Sequence, residues 1–307
     1  MSLQIPVAFV DQFKANILAL SQQKQAKLRM CCRPEGVTGD TMYVERIAPK
    51  DAQPRGARHG ETPVSDAQHS RRKLSMVDYI VPADLIDKPD KLKLLIDPQS
   101  VYTQNQVFSL NRQIDDVVIA ALYGPAYGGH AGATTINAYD VGECRLVNSD
   151  GTIEAAGSDF DNDTETALTI AKLLTCKQLM DDAEIDDERQ RYFLTNPYNI
   201  NQLLNTTEVK SADYNTVKAL AQGQIDTFMG FKFIKSTRLP ADDTDTGATR
   251  SFAFAQDAIV LAVAEEPSVS ISVRNDLSDS IQVFSTLSIG ATRVEGPAVV
   301  PILLKTS

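Results

Sequence analysis

The 307-residue sequence contains no apolar segment that approaches the roughly 20 residues needed to cross a lipid bilayer. This absence argues against a membrane protein and against a membrane partner. The first residues, Met1–Pro6, also lack the basic region and the apolar stretch of a secretory signal. We therefore expect synthesis in the cytoplasm.

Sequence signatures of catalysis and of metal binding are equally scarce. The four cysteines show no CxxC spacing, the three histidines are scattered, and neither HExxH nor GxSxG occurs. We therefore predict no catalytic residue, no cofactor-binding residue and no metal site, and we predict that the protein is not an enzyme. In a cytosolic chain the cysteines are expected to be reduced thiols.

One glycine-rich stretch, Gly124–Gly132, invites comparison with phosphate-binding loops. Close-set glycines let backbone N–H groups approach an anion. The stretch has no lysine, does not match GxxxxGK[ST], and follows a predicted helix instead of a strand. A flexible turn between domains is the favoured interpretation.

The balance of acidic and basic residues argues against a protein that binds DNA sequence-specifically. Forty acidic and 30 basic residues give a net charge of −10, whereas proteins that grip duplex DNA cluster Lys and Arg against its phosphates. On average this chain would repel DNA. Such a charge is compatible with a container whose inner wall must not trap packed nucleic acid.

The N-terminal part of the sequence predicts a helix followed by an extended hairpin. Apolar residues at helical spacing predict a helix over Val7–Leu28, which either packs on its own domain or forms an arm on a neighbouring subunit. Strands are predicted at Thr41–Ile47 and Arg72–Val81. Between them, Ala48–Ser70 is poor in large apolar residues, so the hairpin cannot bury a core of its own. A polar connection of this length is usually functional or disordered.

The remaining sequence predicts an α+β fold around one long helix. Val101–Tyr123 carries its apolar side chains on one stripe and is stopped by Gly124-Pro125. A second helix is predicted over Thr164–Asp182, and a short helix begins after Asn196. Strands are predicted at Met229–Ile234, Ala258–Ala264, Val269–Val273, Ile281–Ser288 and Val299–Leu304.

The hairpin contains the basic cluster Ser70–Lys73. Its charges either form a solvated strand edge that discourages unwanted pairing, or they contact an acidic patch on a neighbouring subunit. Isolated surface ion pairs contribute little, but many copies in an assembly would add through avidity. The candidates for inter-subunit contact are Arg55, Arg58, Arg71, Arg72 and Lys73.

The order of these pieces resembles the Hong Kong 97-type major capsid fold of tailed bacteriophages. Arg33–Ser75 is similar to the E-loop of that family, and Val101–Tyr123 to its spine helix. The most specific stretches of the resemblance are Ala212–Tyr214, Gly223–Ile225, Met229–Ser236 and Phe252–Ile259. The resemblance implies five segments: an N-terminal arm (1–33), an E-loop hairpin (34–80), a peripheral domain with the spine helix (81–125), an axial domain (126–268) and return strands to the peripheral domain (269–307).

The resemblance implies a major capsid protein that self-assembles into hexamers and pentamers of an icosahedral shell enclosing double-stranded DNA. Expected partners are further copies of the chain, portal, scaffold or decoration proteins, and DNA packed without sequence-specific binding. No cofactor is implied. The expected location is the virion capsid, and the host cytoplasm before assembly. Two alternatives stay open: an encapsulin-like compartment shell with the same fold, and a soluble α+β enzyme of unknown class.

Overall fold

The computed structural model describes residues 22–56, 58, 62, 64–86, 99–160, 166–205, 227–242 and 247–305. These residues form an α+β structure. The helices are α1 (Gln99–Tyr123), α2 (Ile170–Asp182) and α3 (Pro197–Asn205). The strands are β1 (Arg33–Gly36), β2 (Thr41–Ile47), β3 (His69–Ser75), β4 (Val77–Ile86), β5 (Ala126–Gly128), β6 (Thr134–Ile136), β7 (Arg191–Thr195), β8 (Thr227–Phe228), β9 (Phe231–Lys235), β10 (Ala248–Ala255), β11 (Ile259–Arg274), β12 (Ser280–Arg293) and β13 (Val299–Lys305).

The chain divides into two compact units. The first comprises Met1–Ala26, Val77–Asp115 and Ala264–Ile289, and the second comprises Lys27–Met76, Asp116–Val263 and Gly290–Ser307. Helix α1 and strands β11 and β12 each contribute residues to both units. The five segments drawn from the sequence stay predictions, because each unit combines pieces of several of them. Within the described residues, no helix has the length and apolar character that a membrane span requires.

Helix α1 follows the predicted apolar stripe. Leu110, Ile114 and Val118 are buried along it. The helix has 25 residues, which corresponds to a length of about 37 Å at 1.5 Å per residue. It ends at Tyr123 as predicted, directly before Gly124-Pro125, because proline has no backbone N–H to continue the hydrogen-bond ladder.

In the first unit, α1 is tied to two paired strands. Strands β4 and β12 run antiparallel with a bulge near Val283. The side-chain amide of Gln106, a buried residue of α1, donates to the Asp84 carboxylate (3.0 Å) and to the Val283 carbonyl (3.1 Å). Because a buried amide without partners is unfavourable, these bonds favour one position of the helix on the strands.

The second unit contains a five-stranded sheet in the order β13-β10-β7-β9-β8. Strand β10 pairs antiparallel with β13 and β7, and β7 pairs parallel with β9. Every residue of β7 and β10 is buried, as expected for central strands covered on both faces. Four phenylalanines lie in this core with almost no exposure: Phe193, Phe231, Phe252 and Phe254.

Helix α2 begins later than the sequence pattern predicts. The predicted start was Thr164, which lies outside the described residues, and the observed first residue is Ile170. The Thr169 side chain accepts a hydrogen bond from the Lys172 backbone N–H (3.4 Å). Threonine is a favoured residue at this position, because it satisfies a backbone donor that has no partner inside the helix.

Three predictions about strands are corrected by pairing between distant segments. The separate runs Ala258–Ala264 and Val269–Val273 form one strand, β11, alongside β12. The predicted run Arg72–Val81 is two strands, β3 and β4, separated at Met76. The stretch Gly124–Gly132 contains β5, which pairs with β3 and β6, so the interpretation as a flexible turn is wrong for that part.

Part of the predicted structure lies outside the described residues. For the helix over Val7–Leu28, only residues 22–28 are described, and they are not helical. A 3-10 turn follows at Arg29–Cys31. The stretches Ala212–Tyr214 and Gly223–Ile225 also lie outside the described residues.

The four cysteines, Cys31, Cys32, Cys144 and Cys176, are buried and form no disulfide with one another. Burial raises the pKa of the Cys144 and Cys176 thiols to about 12. Since the thiolate is the reactive form, a thiol with so high a pKa is inert.

Helix α2 buries a lysine in the second unit. Lys172 is 3 % exposed, and its Nζ donates to the Thr166 carbonyl (3.0 Å), the Thr166 hydroxyl (2.6 Å) and the Ala167 carbonyl (2.8 Å). Burial lowers the pKa of Lys172 from 10.5 to about 8, and Asp150 opposes part of that shift. Between these two pH values the unfolded chain therefore holds a proton that the folded chain releases.

We predict that the free energy of unfolding rises with pH between about 8 and 10.5, by about 2–3 kcal/mol from this side chain. The sign follows because the unfolded state binds more protons in that range. Urea unfolding of the unassembled protein at several pH values would measure it. The rise should be smaller by that amount in Lys172→Met, and unchanged in Lys177→Met, an exposed position of the same helix. Equal pH profiles for the wild type and Lys172→Met would contradict the prediction.

Candidate functional site

Strands β2, β3, β5 and β6 form a sheet, in that order, whose two faces differ. Tyr43 lies opposite Lys73, which in turn lies opposite Tyr127. Directly opposed residues share a face, and consecutive residues of a strand alternate between faces. Arg71 and Lys73 therefore lie on one face of the sheet, and Arg72 lies on the other.

The face with Arg71 and Lys73, called the open face, is accessible to solvent. Tyr43 and Tyr127 on this face are 37 % and 44 % exposed. The Arg71 guanidinium lies 5.7 Å from the centre of the Tyr43 ring and 3.2 Å from the Glu45 carboxylate. Exposed pairs of this kind contribute little to stability. The open face therefore presents aromatic and basic groups that are weakly committed within the chain.

The opposite face of the sheet is buried and holds Arg72. This side chain is 1 % exposed, and its guanidinium donates to the carboxylate of Glu143. The strand alternation thus turns the Arg72 side chain into its own unit, and contact of Arg72 with a neighbouring subunit stays a prediction.

Glu143 also lies close to a second buried arginine, Arg293. The Nε of Arg293 lies 3.7 Å from Glu143 Oε2. The Nη1 of Arg293 donates to the carbonyls of Leu122 (3.2 Å) and Gly124 (3.1 Å) at the C-terminal end of α1. These carbonyls include groups that have no partner inside the helix, and a cation is favoured there. Glu143 thus connects β3 to the end of α1 through two guanidinium groups.

The anchor cluster, defined as Arg72, Glu143 and Arg293, holds two positive charges against one negative charge. Within the described chain, several of its buried atoms have no hydrogen-bond partner: Arg72 Nε, Arg293 Nε and Nη2, and Glu143 Oε2. Nearby, burial and the charge of Arg72 lower the pKa of Arg46. Because buried cations are stable only with a counter-charge, Glu143 is the member whose loss would be most damaging.

Two glycines provide the space that this arrangement requires. A Cβ added to Gly296 would lie 2.7 Å from the Glu143 Cα. A Cβ added to Gly132 would lie 2.8 Å from the Lys73 Cβ, and Gly132 has a φ of +72°, which side chains rarely tolerate. Gly132, within the glycine-rich stretch, therefore allows that stretch to pack closely against the hairpin sheet.

Two other candidates, Arg55 and Arg58, lie in the connection between β2 and β3, and both are exposed. The hairpin, defined as Thr41–Ser75, contains seven basic and four acidic residues. Its net charge is thus +3, and since the whole chain carries −10, the rest carries −13. The hairpin is a positive segment of a strongly negative chain.

Two histidines that are far apart in sequence border the same groove beside the open face. His69 and His130 line one groove together with Glu45, Ser70 and Arg71. Among the residues that the structure describes, no three His, Cys, Asp or Glu side chains are grouped to hold a metal ion. The groove combines one carboxylate with a cation, which is not a metal-ligand set.

Sequence reasoning missed the anchor cluster. Glu143 is 71 residues from Arg72, and Arg293 is 171 residues from Leu122. No local motif joins such positions. One signal was present: Arg72 shares a face with Leu74, a buried residue two positions further along β3, and this alternation indicates an inward side chain.

Comparison with known proteins supplies the class of the chain. A family model described as phage capsid protein matches residues 5–306. No curated protein sequence matches the chain. The capsid structure of cyanophage P-SCSP1u superposes with a TM-score of 0.72 at 14 % identity, covering 100 % of this chain and 96 % of that one. The capsid of Ralstonia phage GP4 gives a TM-score of 0.70 at 11 % identity, covering 97 % of this chain and 96 % of that one. The capsid structure of Helicobacter pylori bacteriophage KHP30 also gives a TM-score of 0.70 at 11 % identity, covering 99 % of this chain and 98 % of that one.

Because the family match extends over nearly the whole sequence, the chain belongs to the phage capsid protein family. The solved structures share its fold, which confirms the predicted α+β, Hong Kong 97-type capsid fold. The chain is a major capsid protein, a structural protein that forms the shell of the virion. The encapsulin-like and soluble-enzyme alternatives are not favoured.

We predict that Glu143→Gln lowers the free energy of unfolding by about 3 kcal/mol, because it leaves two buried guanidinium groups without a counter-charge. Urea unfolding of the unassembled subunit at low protein concentration would measure the loss, since assembly adds stability of its own. The variant keeps the size of the side chain and one acceptor oxygen, and it replaces the other oxygen with an NH2 donor, so it removes the charge with little change in volume.

Glu45→Gln provides the matched control for this prediction. Glu45 pairs with Arg71 on the open face, where both side chains are exposed, and its loss should change the free energy of unfolding by less than about 1 kcal/mol. Equal effects of the two substitutions would show that Glu143 does not hold the hairpin sheet.

Proposed function

We propose that the chain assembles into hexamers and pentamers that close an icosahedral shell around double-stranded DNA. The observation that carries the proposal is the opposite charge of the hairpin and the rest of the chain, +3 against −13. Such a chain favours contacts in which two different patches meet. Contacts of this kind between identical copies close into rings when the rotation permits it.

In this proposal, the hairpin forms contacts between subunits. Ile47 and Val64 of the hairpin are 66 % and 93 % exposed. Within the described part of the connection between β2 and β3, Ala48 bonds to the Gln68 carbonyl and Lys50 to the Ser65 carbonyl. A segment that buries so little of itself gains stability when a neighbouring copy covers it. Arg55, Arg58, Arg71 and Lys73 remain the proposed contact residues, and residues 1–33 remain a proposed arm on a neighbour.

The proposed relation to DNA is containment without sequence-specific binding. A net charge of −10 disfavours tight binding of phosphates along the inner wall. Portal, scaffold and decoration proteins would be separate chains, and the host cytoplasm would hold the subunit before assembly. Catalytic activity is not part of this role.

We expect the purified protein to form closed particles in negative-stain electron microscopy, and rings of six or five subunits when particles are dissociated. Sedimentation velocity would measure the same assembly in solution. The midpoint of thermal unfolding should rise with protein concentration, because assembly stabilises the folded state by mass action. A protein that remains monomeric at every concentration would contradict the proposal.

Deletion of Pro49–Pro63 should leave a folded subunit that fails to form shells. The paired residues of β2 and β3 lie outside the deletion, so the sheet retains its hydrogen bonds. We expect a fall in shell yield of at least tenfold, which corresponds to about 1.4 kcal/mol or more of lost contact energy. Particle counts and circular dichroism would measure yield and fold.

A variant in which Gly-Ser repeats of equal length replace Pro49–Pro63 separates loop length from side-chain contacts. This variant should also fail to form shells, because it lacks the basic side chains of the connection. Normal particles from the deletion would show that the hairpin does not join subunits.

A further inference from the structure

The open face of the hairpin sheet has the composition of a protein-binding surface. Tyr43, Lys73 and Tyr127 form one row across three strands, and Arg71 and Glu45 form the next pair along β2 and β3. Tyrosine and arginine are enriched in interfaces between proteins. The strands are hydrogen-bonded to each other and their inner face is anchored on Glu143, so the surface needs little ordering before it binds.

The chain also carries a compact surface of opposite charge. The acidic loop, defined as Asp181–Glu188, contains six acidic residues among eight. Arg191, which is buried, pairs with Asp181 (2.5 Å) and Asp187 (3.0 Å) and donates to the Ile185 carbonyl (3.0 Å). These bonds hold the loop in one conformation.

Four carboxylates of the acidic loop remain for a partner. Each is exposed and forms no ion pair within the described chain: Asp182, Glu184, Asp186 and Glu188. Clustered like charges repel each other, and a cationic partner relieves that repulsion. A pre-ordered acidic loop and a pre-ordered basic face on the same chain are complementary in a head-to-tail arrangement of two copies.

We propose that the open face of one copy docks on the acidic loop of a second copy. Lys73 and Arg71 pair with the carboxylates of the loop, and Tyr43 and Tyr127 pack beside them. This proposal rests on the proposed assembly through the hairpin, and it adds the partner surface. It assigns the exposed carboxylates of the acidic loop to an interface.

A basic and aromatic face also fits a nucleic-acid strand, since bases stack on aromatic rings and phosphates attract cations. The acidic loop favours a protein partner instead, because its bonds to Arg191 hold it in one conformation on the same chain, whereas a single nucleic-acid strand must be ordered when it binds. The Glu45 carboxylate lies 3.2 Å from the Arg71 guanidinium and helps to orient Arg71 on the open face.

Zero-length carbodiimide coupling tests the contact directly on assembled wild-type particles. This reagent joins a lysine amine to a carboxylate only where the two touch. All six carboxylates of the acidic loop lie in one tryptic peptide, Gln178–Arg189. In particles assembled from equal amounts of ¹⁴N- and ¹⁵N-labelled protein, we expect mass spectrometry to find this peptide joined to the peptide containing Lys73, with mixed isotopes. Coupling of Lys73 to other peptides only would overturn the proposal.

A charge exchange tests the energetics of the same contact. The hairpin variant combines Arg71→Glu with Lys73→Glu, and the loop variant combines Glu184→Lys with Asp186→Lys. Each should lower the shell yield at least tenfold, because like charges would face each other. A chain that carries all four substitutions should recover at least half of the wild-type shell yield.

Two single changes with the same kind of charge reversal serve as controls: Lys232→Glu on β9 and Asp78→Lys on β4, both exposed. Thermal unfolding of every variant confirms that the subunit is folded. If the combined variant recovers nothing while the controls assemble normally, the pairing of these two surfaces is wrong. A wild-type protein without shells would instead contradict the proposed function.

Binding of a fluorescent single-stranded oligonucleotide separates the two kinds of partner. We expect the hairpin variant to lose shell yield with oligonucleotide binding unchanged from the wild type. Loss of oligonucleotide binding with a normal shell yield would show that the open face binds nucleic acid, and would overturn the proposal.

Discussion

One buried carboxylate, Glu143, determines how the hairpin sheet is presented. Arg72 reaches it from β3, and Arg293 reaches it from β12 while donating to carbonyls at the end of α1. In a low-dielectric interior these attractions are strong, and loss of the Glu143 charge would leave two buried guanidinium groups without a counter-charge. Because Arg72 is held inward, its neighbours Arg71 and Lys73 must face outward.

This alternation gives consecutive basic residues opposite roles in a capsid protein. Arg72 stabilises the subunit, whereas Arg71 and Lys73 are half-buried on the open face beside two exposed tyrosines. The positive hairpin belongs to a chain whose remaining residues carry −13. Charge segregation of this kind favours unlike patches over like patches, and this is the basis of the proposed head-to-tail contact.

Local patterns predicted the elements whose causes are local. The alternation in Thr41–Ile47 predicted β2 with its observed bounds, and the apolar stripe with the stop at Gly124-Pro125 predicted the end of α1. Predictions were wrong where pairing with a distant segment of the chain determines the secondary structure. Strand β5 exists because it pairs with β3, more than 50 residues earlier in the chain, and glycine composition alone indicated a turn.

By itself the sequence determined the α+β character, the long helix, the polar hairpin and the absence of local catalytic signatures, because each depends on composition or on short-range periodicity. The overall order of elements was enough for a resemblance to one capsid fold. Only the tertiary structure decided which basic residues are buried and which are exposed. The reason is that Arg72 acquires its environment from Glu143 and Arg293, and charges in a cluster act through distance in space, not separation along the chain.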